Sequence, residues 1–196
     1  TEIPYTYDPT SQLGSFTITR ASLYVVGVDK QWTNPFSDVS NSDWFYGAVE
    51  HASRNGLFTG TGADTFTPNG AMTRAMLWTV LGRLDGQILS GSGAFDAARI
   101  WAMNAGITDG TNANANVTRE QMVTILWRYA SSPNANGDLG SFTDASSVAS
   151  YAADAMTFAV ENGIITGANG ALMPQENATR AQVAAIMQRF INAAAK

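Results

Sequence analysis

Three segments of the chain share one spacing of apolar residues. Each opens with Thr-Arg, at Thr73, Thr118 and Thr179, and continues with apolar residues at i, i+3, i+4 and i+7. They are Leu77, Val80, Leu81 and Leu84, then Met122, Ile125, Leu126 and Tyr129, then Val183, Ile186, Met187 and Phe190. Because this spacing places side chains on one helical face, it predicts three amphipathic helices of roughly three turns each.

A second pattern precedes each of these helices. Its aligned positions are Trp44, Ala48, Ala52, Gly56 and Gly60, then Ala94, Ala98, Ala102, Gly106 and Gly110, then Tyr151, Ala155, Ala159, Gly163 and Gly167. Alanines at this spacing let another helix approach closely, and the first glycine of each set fits the left-handed position that ends a helix. The chain therefore reads as three copies of a helix, a glycine-bearing loop and a helix.

The copies differ in their loops, and the flanking segment differs from all of them. Copy two lacks the loop proline of the others (Pro68 and Pro174) and has Ala94 in place of an aromatic residue, so we predict that it is degenerate. Residues 14–28 alternate between apolar and polar side chains as a strand does, which predicts a short N-terminal β segment that ends a preceding domain. Thr19-Arg20-Ala21 resembles the Thr-Arg element of the repeats, so a remnant helix is the alternative. The predicted boundaries are 1–35 for the β segment and linker, 36–88, 89–135 and 136–196.

Composition narrows the class of function. A net charge of −5 argues against nucleic acid or an anionic membrane as partner, and no apolar run is long enough for membrane insertion. Thr1 does not begin a signal segment, so we expect a mature product or an excised fragment. The chain has no cysteine, which excludes disulfides and thiol catalysis.

Catalysis has no supporting residues. The one histidine, His51, occupies the repeat position of Trp101 and Phe158 and is expected to pack as a flat ring. Without a second histidine or a cysteine, neither a nucleophile-base pair nor a metal cluster can be assembled. We predict that the chain is not an enzyme and uses no cofactor or metal.

The Thr-Arg element points to a ligand. Thr118 with Gln121 and Thr179 with Gln182 match a capping box, whereas Met76 leaves copy one half of it. Capping does not explain the arginines, which are Arg74, Arg119 and Arg180. Beside free backbone N–H groups they could grip a carboxylate or phosphate, or each could pair with a nearby aspartate to lock a loop.

Other polar and aromatic positions carry two interpretations each. Asp38 and Asp144 could cap turns or accept sugar hydroxyls, and Trp44 and Tyr151, at the predicted starts of first helices, could be core anchors or sugar-stacking platforms.

Arginines also recur ten residues after each threonine, at Arg83, Arg128 and Arg189. Their position near helix ends predicts a favourable interaction with the helix dipole.

The ordered set of motifs resembles the S-layer homology family over residues 36–193. The matching pieces are Phe36-Ser37-Asp38-Val39, the Trp44-to-Ala52 helix, Gly56-Leu57-Phe58-Thr59-Gly60 and Thr73-Arg74-Ala75-Met76, with Phe142-Thr143-Asp144, Gly163-Ile164-Ile165-Thr166-Gly167 and Thr179-Arg180-Ala181-Gln182 in copy three. Copy two matches only from Ala98. Asp96 lies before that point, so the resemblance gives little support for assigning it the role of the family's aspartate. The resemblance implies a mainly α fold of three repeats around a pseudo-threefold axis, with a central helical bundle and grooves between neighbours.

The resemblance also implies a function. Such grooves bind an acidic, often pyruvylated, secondary cell-wall polysaccharide, which would retain an exported bacterial protein at the cell wall or surface layer. The predicted contacts are Arg74, Arg119, Arg180, Asp38, Asp144, Trp44, Tyr151, Gly60 and Gly167. Protein-protein assembly in a surface layer, including self-association, is the alternative.

Two substitutions express these expectations. Arg180→Ala should weaken polysaccharide binding while leaving the fold almost intact. Arg119→Ala should cost less affinity than the other two arginine substitutions, because copy two has lost its aromatic residue.

Overall fold

The computed structural model describes residues 5–8, 13–16 and 32–194, and it divides the chain into two compact units, 1–31 and 32–196. The described residues are mainly helical, which confirms the mainly α part of the predicted fold class.

The first unit contains a hairpin. Strands β1 (Tyr5–Asp8) and β2 (Leu13–Phe16) pair antiparallel, with Tyr5 opposite Phe16. The strand predicted over 14–28 overlaps β2 at its first three residues. The remainder of that prediction, and the alternative helix at Thr19-Arg20-Ala21, lie outside the described residues.

The second unit contains six α-helices within the described residues. They are α1 (Tyr46–Arg54), α2 (Arg74–Leu84), α3 (Ala94–Asn104), α4 (Arg119–Tyr129), α5 (Ala153–Glu161) and α6 (Arg180–Ala194). Two 3₁₀ helices, Ala145–Ser147 and Ser150–Ala152, precede α5. Trp44 lies two residues before α1 and Tyr151 lies in the second 3₁₀ helix, so neither begins an α-helix as the repeat pattern had predicted.

Helix ends follow the local sequence signals. The Thr118 hydroxyl accepts from Gln121 N at 3.3 Å while the Gln121 side chain accepts from Thr118 N at 3.2 Å, and Thr179 with Gln182 forms the same reciprocal pair. Thr73 accepts from Met76 N alone, as a half box predicts. The glycines predicted to end the first helices have positive φ in all three cases, namely Gly56 (66°), Gly106 (71°) and Gly163 (65°).

Helix pairs join different copies. α2 packs against α3, α4 against α5, and α6 against α1, so the series of contacts closes on itself. The α2–α3 contact is tight at Gly82, where an added Cβ would lie 2.5 Å from Leu89 Cδ1 and 3.3 Å from Trp101. Each second helix therefore buries its apolar face partly against the first helix of the next copy.

A ring of backbone hydrogen bonds lies where the extended segments before α2, α4 and α6 meet. Met72 N donates to Ala178 O, Ala178 N to Val117 O, and Val117 N to Met72 O, each at 2.9 Å. Most residues of the three predicted apolar faces are buried, including Leu77, Met122 and Met187. The ring sets the second helices in fixed relation to one another.

Candidate functional site

The first arginine of each second helix reaches into the loop of another copy. Arg74 Nε donates to Thr111 O at 3.0 Å, Arg119 Nε to Leu172 O at 2.8 Å, and Arg180 Nε to Phe66 O at 2.6 Å. Each accepting carbonyl directly precedes a residue with positive φ: Asn112 (52°), Met173 (53°) and Thr67 (58°). The arginines thus hold turns in which a non-glycine residue takes the left-handed conformation.

The helix N-termini are not open anion sites. The backbone N–H groups of Arg74, Arg119 and Arg180 donate to the carbonyls of Ala115, Glu176 and Gly70 at 2.9–3.0 Å. The next amide in each helix also donates to a neighbouring loop carbonyl. The assumption that these arginines stand beside free N–H groups is therefore wrong, because carbonyls of another copy occupy the positions where an anion would bind.

Arg180 is almost fully buried, with only 7% of its surface exposed. Its Nη2 donates to Thr59 O at 2.9 Å, and its guanidinium lies 4.6 Å from the centroid of the Phe66 ring and 5.3 Å from that of Phe58. Burial lowers its pKa to about 10, and the charge of Asp38 acts in the opposite direction. Arg180 therefore stabilises the loop of copy one.

Arg74 has a carboxylate partner. Its Nη2 lies 2.9 Å from Asp109 Oδ1 and donates to the Thr108 hydroxyl at 3.2 Å. Hydrogen bonds from Thr111 hold the pKa of Asp109 below its usual value, and the charge of Arg74 adds to this effect. A direct arginine-aspartate ion pair is thus found at Arg74.

Arg119 differs from both. It is 6% exposed, and among the described residues its side chain makes one hydrogen bond, from Nε to Leu172 O. Burial lowers its pKa, Asp144 acts to raise it, and Arg189 lowers it further. Its Nη atoms are left without a hydrogen-bond partner among the described residues.

The two aspartates hold the proline-containing loops. Asp38 accepts from Phe66 N and Thr67 N, both at 2.7 Å. Asp144 accepts from Leu172 N at 2.8 Å and Met173 N at 2.7 Å, and these bonds lower its pKa. Both carboxylates therefore fix the backbone at the left-handed residue of the loop.

One groove combines residues from all three copies. We define the Arg119 groove by Arg119 of α4, Arg189 of α6, the loop around Gly167, and Trp44 before α1, and its volume is about 270 Å³. Trp44 is 68% exposed. The lining residues include both arginines and no aspartate or glutamate, so the groove is positively charged.

A second groove has the same construction with different residues. We define the Arg180 groove by Arg180, the loop around Gly60, Arg83 of α2, and Ala94 and Phe95 of α3, with a volume of about 450 Å³. Ala94 occupies the repeat position of Trp44. The 52% exposed Phe95 is the aromatic side chain next to it.

The third set of equivalent residues surrounds Tyr151 and is called the Tyr151 cluster. The Tyr151 hydroxyl donates to Glu120 Oε1 at 2.8 Å, and Glu120 Oε2 accepts from Ala149 N at 3.0 Å. Burial and Glu120 raise the pKa of Tyr151 to about 12, against the opposing charges of Arg74 and Arg128. This cluster already contains a buried carboxylate.

Residues 35–75 and 141–184 match the S-layer homology domain. Both regions carry S-layer homology sequence. The first contains Asp38, Trp44, Gly60 and Arg74, and the second contains Asp144, Tyr151, Gly167 and Arg180, so eight of the nine predicted contacts fall within them.

Curated relatives are longer proteins. The chain is 31% identical to an endoglucanase of Bacillus sp. (strain KSM-635), over 80% of this chain and 19% of that protein. It is 27% identical to an amylopullulanase of Thermoanaerobacterium thermosulfurigenes, over 92% of this chain and 10% of that protein. It is 29% identical to the surface-layer 125 kDa protein of Lysinibacillus sphaericus, over 80% of this chain and 10% of that protein. The chain thus spans a fifth or less of each relative.

Two residues that line the grooves, Arg189 and Phe95, were not among the contacts predicted from the sequence. Arg189 was assigned to a helix C-terminus, as Arg83 and Arg128 are, but α6 continues to Ala194 and its last turn contains no basic residue. Phe95 was passed over because it lies one position after the aligned aromatic site. The run of apolar residues after Arg189 was the available signal for a longer helix.

The grooves also pair residues differently from the expectation. The missing aromatic of copy two was expected to weaken the site of Arg119, but Ala94 lies with Arg180, and Arg119 shares its groove with Trp44. Each groove takes its arginine, its loop and its aromatic position from three different copies. Alignment of the copies alone cannot reveal that order.

His51 does not line either groove. His51 is half-buried, and its Nε2 is buried without a hydrogen-bond partner. In the described part of the chain, no three His, Cys, Asp or Glu residues are grouped to hold a metal ion. None of the described helices has both the length and the hydrophobicity of a membrane span.

Proposed function

We propose that this chain is a non-catalytic cell-wall anchoring module that binds an acidic, pyruvylated secondary cell-wall polysaccharide and retains an exported bacterial protein outside the cell. The observation that carries the proposal is the Arg119 groove. Two guanidinium groups and an exposed indole line it together, without a carboxylate among the lining side chains.

This combination suits an acidic sugar. Guanidinium groups form charge-assisted hydrogen bonds with carboxylates, and the Nη atoms of Arg119 have no other partner among the described residues. The exposed face of Trp44 offers a flat apolar surface to a sugar ring. A carboxylate bound at the arginines would leave the ring within the same groove.

The other predicted contacts enter the proposal with distinct roles. Gly60 and Gly167 line the two grooves, and an added Cβ at Gly167 would lie 2.7 Å from Ala171 O. Asp38 and Asp144 keep the loops in shape and can accept sugar hydroxyls at their edges. Arg74, Arg180 and Tyr151 would contribute through groups left after their internal hydrogen bonds are made.

The arrangement of copies belongs to the same proposal. We take the chain as three S-layer homology repeats, the second degenerate, arranged around a pseudo-threefold axis. The closed series of helix contacts and the ring at Met72, Val117 and Ala178 support it. The S-layer homology regions and the surface-layer relative support a cell-wall location, whereas the enzymatic names belong to much longer proteins.

Binding to isolated wall material tests the proposal. The purified chain should sediment with wall sacculi and lose this binding when the secondary polymer is extracted. Trp44→Ala should reduce retention, whereas Ile88→Ala, which removes a 93% exposed side chain outside both grooves, should not. Equal retention on extracted sacculi would contradict polysaccharide binding.

A structural assembly domain is the second candidate. The outer face of α3 exposes Ile100 (54%) and Met103 (44%), and a surface-layer protein is among the relatives. Exposed apolar side chains on one helix are typical of protein contacts. Sedimentation of the chain alone distinguishes the candidates, because assembly would give concentration-dependent oligomers that Ile100→Ser together with Met103→Ser abolishes while wall binding persists.

A further inference from the structure

We propose that the acidic group of the ligand enters the Arg119 groove and that Arg189 determines the specificity for it. This inference rests on the proposed polysaccharide binding and adds to it a particular groove and a further residue. Arg189 differs in its surroundings from the arginines at the equivalent positions, Arg83 and Arg128.

The fold gives no internal use for the Arg189 side chain. The side chain is exposed and makes no hydrogen bond or ion pair with the described residues. It lies more than one turn from the end of α6, where the helix dipole gives a cation little stabilisation. Its described charged neighbour is Arg119, and two cations in one groove repel each other until an anion joins them.

At the equivalent residue Arg83, the guanidinium already donates hydrogen bonds to backbone carbonyls. Its Nη1 donates to Leu57 O at 3.1 Å, and its Nε and Nη2 donate to Leu89 O at 3.3 Å and 3.1 Å. These bonds tie α2 to the loop before α3. The Arg180 groove therefore contains a second arginine whose donors are directed at backbone carbonyls.

Arg128 lies in a different electrostatic setting. Its positive charge acts to lower the pKa of Tyr151, whose hydroxyl donates to the buried carboxylate of Glu120. Glu120 stands where the other copies have Ala75 and Ala181, so this carboxylate is specific to copy two. An incoming anion at this cluster meets a negative charge that the Arg119 groove does not contain among its lining residues.

The Arg119 groove thus combines two available guanidinium groups. Asp144 is the nearby carboxylate, and it is bound to the amides of Leu172 and Met173. A ligand carboxylate between Arg119 and Arg189 relieves their repulsion and uses the free Nη donors. The ligand class is a monosaccharide unit carrying a carboxylate, oriented with its ring toward Trp44.

Calorimetric titration with a pyruvate-ketal aminosugar glycoside and with its methyl ester tests the assignment. The wild-type chain should prefer the acid over the ester. Arg189→Gln should lower affinity for the acid on the order of 10-fold, as loss of a charge-assisted bond predicts, and leave affinity for the ester unchanged. The matched variant Arg128→Gln should change affinity for the acid less than about 2-fold.

Two results would overturn the inference. One is equal loss of acid binding in Arg189→Gln and Arg128→Gln, and the other is an unchanged acid-to-ester ratio in Arg189→Gln with a normal melting curve. If the wild type still binds intact and not extracted sacculi in either case, the anchoring proposal survives and the assignment of Arg189 fails. If the wild type retains no preference for intact sacculi, the anchoring proposal itself fails.

Discussion

At the scale of single residues, the three helix-opening arginines perform different tasks from equivalent positions. Each donates from Nε to a loop carbonyl, but Arg74 adds a carboxylate, Arg180 adds a second carbonyl and two aromatic rings, and Arg119 keeps its Nη groups available. Burial makes these differences energetically important, since a buried carbonyl that loses its donor is not rehydrated.

Arg180→Ala should destabilise the fold, contrary to the expectation from sequence. The substitution leaves the carbonyls of Phe66 and Thr59 without their charged donor and removes a side chain packed on Phe58. We expect a loss of about 3 kcal/mol in the free energy of unfolding, measured by urea denaturation. Arg189→Ala is the control and should change it by less than about 0.5 kcal/mol, and equal effects would refute a structural role for Arg180.

Asp144→Asn should change how stability depends on pH. The amides of Leu172 and Met173 hold the pKa of Asp144 below its unfolded value of about 3.9, so its ionised form stabilises the folded chain above that pH. This contribution is lost as pH falls through the lowered folded pKa. Urea midpoints measured between about pH 5 and pH 2 should therefore fall less steeply in Asp144→Asn than in the wild type. Asp64→Asn, an exposed loop carboxylate, should retain the wild-type slope.

At the scale of elements, two kinds of hydrogen bond hold the N-terminal turn of each second helix. A threonine caps each helix from its own sequence, and loop carbonyls of another copy accept from the first two amides. Local and long-range hydrogen bonds together satisfy donors that would otherwise face water. The helix starts are therefore well defined even though the loops before them differ in length.

Thr118→Ala should reduce stability by about 1 kcal/mol, the usual cost of losing an N-cap side chain. The reason is that Gln121 N loses its acceptor and the reciprocal box with Gln121 breaks. Thermal unfolding would measure the loss. Thr118→Ser keeps the hydroxyl and should stay near wild type, so a similar loss in both variants would point to the methyl group instead.

At the scale of the whole molecule, residues 32–194 depend on contacts that close a cycle. α6 packs against α1, and Ala178 bonds to both Met72 and Val117. Removing one copy from this cycle breaks two of the three helix pairs and two of the three hydrogen bonds of the ring. Stability should therefore be shared across the unit.

Deleting residues 179–196 should abolish cooperative unfolding of the remaining unit, because α1 loses its partner helix and the buried Phe66 carbonyl loses Arg180. Deleting residues 1–31 should leave the transition of residues 32–196 in place, since these form a separate compact unit. Circular dichroism during urea unfolding distinguishes the two. A cooperative transition in the first deletion would show that the copies fold independently.

The sequence by itself determined the helices, their capping threonines and the glycines that end the first helices. These features depend on residues within a few positions of one another, such as Thr118 with Gln121. The buried faces followed from the same short-range periodicity, and Leu77, Met122 and Met187 are buried as predicted. The boundaries of α1 and α5 were less accurate because aromatic residues before a helix can mimic its first turn.

Only the tertiary structure decided which residues share a groove and which donors remain available. Arg180 bonds to Phe66, 114 positions away, and Arg119 shares its groove with Trp44. The copies are alike in sequence, so alignment cannot tell which copy supplies the carbonyl, the arginine or the indole to a given groove. That choice follows from closure of the helix contacts, because packing α6 against α1 brings residues from opposite ends of the unit together.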